Sequence, residues 1–131
     1  MAVFLLGPGA AHAGDPLGTW VMSDGKVTVR LSKCSAKLCL RLAGLKEPLD
    51  KEGRPKLDKL NPDPALRGRP LIGLLLASGL VATGRNAWRG SIYNPDDGLT
   101  YAVLLKLNGQ EMAVKGCVAG VMCKTHSFRR R

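Results

Sequence analysis

From Leu17 onward the chain alternates apolar and polar residues with a period of two, the signature of half-buried strands. Gly18-Thr19-Trp20-Val21-Met22 predicts a first strand and Ser23-Asp24-Gly25 a turn. In the second strand Val27, Val29 and Leu31 face one way, with Thr28 and Arg30 on the other side. Leu38, Leu40 and Leu42 repeat the pattern against Cys39 and Arg41, which gives three antiparallel strands in sequence. Lys46 to Arg69 breaks the rhythm. Its four prolines and charges of both signs cannot sustain a ladder, so it reads as a long loop between strands 3 and 4, with Pro64 to Arg67 compatible with a short helix. Leu71 to Ala77 then reads as a buried strand with Gly73 marking a bulge, a buried helix being the competing reading of so short a run.

Trp88 to Tyr93 is the next strand, and Asn94-Pro95-Asp96-Asp97-Gly98 supplies a turn. Tyr101, Val103, Leu105 and Leu107 alternate with Ala102, Leu104 and Lys106. Asn108-Gly109 is the strongest hairpin signal, because both central positions of a type I′ turn need positive φ. Met112 and Val114 point inward on the returning strand, and Met122 to Arg129 forms the last. Eight strands joined mostly by hairpins avoid two unpaired edges by closing on themselves. The pattern therefore predicts an all-β, eight-stranded, up-and-down antiparallel barrel. At that size the interior is filled by side chains or holds one small ligand, and the inward Val, Leu and Met make any cavity apolar.

At 131 residues the chain makes one domain, and its 16 glycines and 8 prolines favour short elements joined by turns. Residues 1–13 read as a signal peptide: Val3 to Leu6 is apolar, Gly7-Pro8-Gly9 breaks the run, and Ala11-His12-Ala13 is a small-x-small cleavage pattern. No Lys or Arg precedes the apolar run, which fits a leader that begins upstream or is truncated. The barrel domain then spans residues 14–131. No later run approaches the roughly 20 apolar residues of a spanning helix. Four cysteines agree with export, periplasmic or secreted. Cys34 with Cys39, and Cys117 with Cys123, bracket predicted turns, although four cysteines permit three pairings and sequence alone does not choose. A four-thiolate zinc site is the competing reading, with spacing wider than such sites use. The net charge of +10 is dispersed except at Arg129-Arg130-Arg131, and it draws the protein towards anionic lipid or polysaccharide.

No catalytic constellation assembles, so the expectation is a binding protein and not an enzyme, with no cofactor or metal. After cleavage His126 is the only histidine, and its neighbour Ser127 points to the opposite face. Asp96 and Asp97 sit in a turn whose acids bond their own backbone. Arg67 and Arg69, with Arg85 to Arg89, are stronger candidates: at a barrel mouth, guanidinium groups hold a carboxylate bidentately while its tail enters the interior. The plainer alternative pairs Arg67 and Arg69 with Asp63 or Glu52 to order the loop. Trp88, Tyr93, Tyr101, Val103 and Leu105 are the candidate cavity lining. With few aromatics and an exported location there is no platform for nucleic acid.

The chain resembles a bacterial family of small exported proteins, domain-of-unknown-function family 2147. The resemblance rests on Gly18-Thr19-Trp20, Cys34 with Leu38-Cys39, Asn61-Pro62-Asp63-Pro64, Arg67 through Gly73, and Trp88 through Tyr101. Leu40 stands where a glycine often follows the second cysteine, and Phe128 where a tryptophan is common. The resemblance implies a lipocalin-like barrel in which Gly18 and Trp20 close one end, with Arg129 or a neighbour over the indole. Such a cation-π contact is worth roughly 0.5–2 kcal/mol. It also implies binding of a small hydrophobic ligand such as a fatty acid. The alternative function is an envelope interaction module that meets an anionic surface or partner through the basic C-terminus and the long loop.

Overall fold

The computed structural model describes residues 15–131, so the predicted leader at residues 1–13 lies outside the described residues. Eight strands succeed one another along the chain: β1 (Gly18–Met22), β2 (Val27–Cys34), β3 (Lys37–Leu45), β4 (Leu75–Gly84), β5 (Ala87–Asn94), β6 (Leu99–Asn108), β7 (Glu111–Val118) and β8 (Met122–Arg130). Each pairs antiparallel with its neighbour in sequence, and β8 returns to β1, closing an up-and-down barrel. Alternating direction sorts the connections to two ends. Residues 15–17, the β2–β3, β4–β5 and β6–β7 hairpins and the C-terminus share one end. The β1–β2 turn, the long loop, the β5–β6 turn and the β7–β8 hairpin share the other, the mouth.

The inward alternation builds a single apolar cluster from all eight strands. Trp20, Leu31, Leu80, Leu105 and Met112 are almost wholly buried within it. Burying side chains of this kind stabilises by roughly 1.5–3 kcal/mol each, which fixes the register of every strand that contributes one. The middle of the barrel is packed with side chains.

The expected strand beginning at Leu71 does not form there. Leu71 to Gly73 turn, with Gly73 at φ 96, and β4 starts at Leu75. The apolar run reaches the core only beyond this turn. Leu74 is buried and its carbonyl accepts the Leu42 N–H at 2.9 Å, while the Gly73 N–H donates to Leu42 O at 2.7 Å. The β6–β7 hairpin forms as expected, but Asn108 pairs with Glu111, so Gly109 and Gln110 are its central residues. Of the two only Gly109 has positive φ, 64°, and the turn is not type I′. Within the long loop Pro64–Leu66 is a 3-10 turn, capped by the Asp63 carboxylate accepting the Ala65 N–H.

Candidate functional site

The long loop is fixed at its centre by one buried carboxylate. Asp58 is 0% exposed and accepts four donor contacts: Tyr93 OH at 2.7 Å, Asn61 Nδ2 at 2.8 Å, and Arg69 Nε and Nη2 at 3.3 Å each. Counting by two from buried Trp88 puts Gly90 and Ile92 inside, so Tyr93 reaches Asp58 from the outer face of β5. The loop therefore folds back against the wall and the β5–β6 turn. Gly98 permits this approach. Its φ is 74°, and a Cβ there would lie 2.2 Å from the Leu60 carbonyl oxygen. Burial, then the hydrogen bond to Asp58 and its charge, push the Tyr93 phenol up to about 12. Arg67 also serves the loop, its Nε donating to Asn61 O at 2.7 Å.

Trp20 seals one side of the end opposite the mouth. Its ring is 0% exposed, its Nε1–H donates to Pro16 O at 2.9 Å, and the Arg130 guanidinium lies 4.4 Å above its centroid. Arg130 also donates to Leu17 O at 2.9 Å and to Asp15 O at 2.7 Å, so residues 15–17 become a strap across that end. The expected closing residue Arg129 is corrected to its neighbour Arg130. Phe128 is buried, so two residues on Arg130 shares its face, whereas Arg129 pairs with Val21 and points to solvent. Gly18 lies beside this contact at φ 120, where a Cβ would fall 3.7 Å from Arg130 Nη1.

The other side of the strap end is open. Between the strap and the β2–β3 and β4–β5 hairpins lies a bay of about 530 Å³, lined by Asp15, Pro16, Leu17, Lys33, Ala36, Lys37, Leu38, Leu80, Ala82 and Trp88. Lys33 pairs with Leu38, Leu38 with Leu80, and Ala82 with Trp88, so the floor is the inner face of the barrel itself. Lys33, on the inward parity of β2, and Lys37, at the start of β3, border this apolar base. The one acid, Asp15, already accepts the Leu17 N–H at 3.0 Å. The Cys34–Cys39 disulfide braces the hairpin that carries both lysines.

The barrel as a whole has counterparts among known proteins. A bacterially conserved family of uncharacterised proteins, DUF2147, matches residues 18–130, from the first residue of β1 to the last of β8. The chain belongs to that family. Among solved structures it is similar to protein HP1028 from the human pathogen Helicobacter pylori, described as belonging to the lipocalin family. That structure has 25% sequence identity and a TM-score of 0.77, and the match covers 90% of this chain and 84% of that one. No curated protein matches the sequence. This DUF2147 member is thus lipocalin-like in fold, and small-ligand binding is the general property that such a barrel supports.

In this DUF2147 barrel the predicted site residues are dispersed. Trp88, Val103 and Leu105 are buried in the core, and of these Trp88 also borders the bay. Tyr101 is half-buried, its hydroxyl donating to Asp97, and Tyr93 is held by Asp58 on the outer face. Arg67 and Arg69 order the loop through Asn61 and Asp58, in place of the Asp63 and Glu52 that sequence suggested. His126 is exposed. The cysteines pair as Cys34–Cys39 and Cys117–Cys123, which removes the zinc reading, and no metal-holding cluster forms among the described residues. Lys33, Lys37 and Ala82 do not stand out in the sequence. Lys33 carries the one available signal, a charge on the inward parity of Val29 and Leu31.

Proposed function

We propose that this protein is an exported binding protein for a small hydrophobic anion, a medium-chain fatty acid being the type, and that the ligand seats in the bay at the strap end. The carrying observation is the apolar inner-face floor of Leu38, Leu80, Ala82 and Trp88, bordered by Lys33 and Lys37. An apolar tail gains by leaving water for that floor, and a carboxylate gains charge-assisted bonds from lysines that outnumber the one bordering acid, Asp15. The volume falls within the usual range of about 300–1,000 Å³ for small-molecule sites. The two disulfides support an oxidising, extracytoplasmic compartment. The mouth is the less favoured seat, because Arg67 and Arg69 are already engaged in the loop.

Titration with octanoate, read by tryptophan fluorescence, tests the proposal. Trp88 borders the bay, while Trp20 lies buried at the seal and reports little. Octanoate should bind at least tenfold more tightly than octanol. Ala82→Phe, which fills the bay, and the pair Lys33→Gln with Lys37→Gln should each weaken octanoate at least tenfold while leaving the thermal midpoint near that of the parent. Unchanged octanoate affinity in Ala82→Phe would sink the proposal, as would no binding at all to the parent protein.

A further inference from the structure

At the mouth the β8 side of the β7–β8 hairpin runs past the end of β1, while β7 stays paired to β6 as far as Cys117 opposite Ala102. β1 ends at Met22, opposite Phe128, and beyond that pair one bond from Ser23 N to Ser127 O is the last to join β8 to the β1–β2 hairpin. Residues 122–126 continue paired to β7 alone among the described strands. The Cys117–Cys123 disulfide staples this arm just below its tip. The chain reverses there through Ala119 at φ 56 and Gly120 at φ 70, and beside this turn Val121 and Met122 are 80% and 73% exposed. Two adjacent large apolar side chains at that exposure, on a braced hairpin, have nothing of this chain to cover them among the described residues. Lys115 and Lys124 flank the tip, and from Met112 to Arg131 the sequence holds no Asp or Glu.

We infer that this tip docks the protein on an anionic lipid bilayer. Val121 and Met122 enter the interfacial layer, while Lys115 and Lys124 meet lipid phosphates. The backbone sets the depth. Cys123 and Thr125 lie in pairs with a Cα separation of 4.1 Å at the cystine, the non-hydrogen-bonded spacing, so their N–H and C=O groups point to the open edge. Those groups require water or headgroup partners and cannot enter hydrocarbon. Insertion therefore stops at the tip, and the protein sits on the membrane without crossing it. The surface is separate from the bay, which lies at the opposite end of the barrel, and the inference stands whether or not the bay binds a ligand.

Sedimentation of the intact oxidised protein with vesicles of phosphatidylcholine alone, or of phosphatidylcholine with phosphatidylglycerol, tests it. Binding should require phosphatidylglycerol and weaken with salt. The pair Val121→Ser with Met122→Ser should lose at least tenfold in affinity, and the pair Lys115→Gln with Lys124→Gln roughly 30-fold. All four side chains are exposed, so the melting midpoint should hold. Val121→Trp should shift its emission to the blue on anionic vesicles and stay unshifted on neutral ones. Full vesicle binding by the Val121→Ser, Met122→Ser protein, with loss instead on Arg129→Gln and Arg131→Gln, would overturn the inference. So would an arm that captures a protein partner while ignoring vesicles.

Discussion

Replacing Asp58 by alanine removes the acceptor on which the long loop converges. Tyr93 and Asn61 each donate to it at under 3 Å, and hydrogen bonds to a charged group contribute roughly 1.5–3 kcal/mol apiece. The Arg69 contribution is smaller, since its bonds are 3.3 Å long and its side chain is 40% exposed, so it rehydrates when released. Tyr93 also regains some water. The expected loss is about 3 kcal/mol. Thermal unfolding followed by circular dichroism should show a fall of roughly 12 °C if loop and barrel unfold together. If the loop opens alone, the midpoint falls less, and the amides of Asp58, Asn61 and Leu71, all bonded within the loop, exchange more than about 100-fold faster. Tyr93→Phe should lose part of this and add almost nothing on top of Asp58→Ala. A midpoint within 1 °C together with unchanged exchange at these amides would refute the claim that Asp58 holds the loop.

Two further outcomes are expected. Arg130→Ala should destabilise by about 2–3 kcal/mol, through loss of the indole contact and of two charged bonds to the strap, whereas Arg129→Ala should stay within about 0.5 kcal/mol; equal effects in chemical denaturation would contradict the assignment of the seal. Both tyrosines titrate above the ordinary phenol, Tyr93 at about 12 through burial first and Tyr101 upward through its hydrogen bond to Asp97 first. A folded pKa raised above the unfolded one gives stability that is whole below pH 10 and lost as pH rises towards 12, so phenolate absorbance should lag at pH 10 and Tyr93→Phe should flatten the alkaline loss.

Strands with one buried face were legible because alternation has a single solution: Val29 and Leu31, or Val103 and Leu105, admit one register. The same logic failed wherever the inward parity lacks an apolar marker. On β8 only Phe128 is buried, while Lys124 and His126, which share its parity, are exposed, so the seal was assigned one residue early. The start of β4 was hidden because Leu71 and Ile72 are apolar yet lie in a turn that Gly73 alone makes feasible. Asp58 has one near partner, Asn61, but Arg69 and Tyr93, which tie it to the rest of the loop and to β5, lie 11 and 35 residues further on, beyond any local pattern. The bay depends on how two hairpins diverge beneath the strap, which no linear pattern encodes.

The Trp20–Arg130 seal also sets the order in which the barrel forms. The Arg130 bond to Leu17 O closes a sequence separation of 113 residues, whereas the other seven strand pairs join neighbours in the chain. On a logarithmic law, closing so long a span costs about 3 kcal/mol more in chain entropy than a tight hairpin. The seven neighbour pairings can therefore assemble progressively, but the seam between first and last strands waits until the final residues are available. The seam is thus the last pairing to form, and its contacts are largely absent from the folding transition state. Weakening Arg130 then shortens the lifetime of the folded barrel more than it delays its formation.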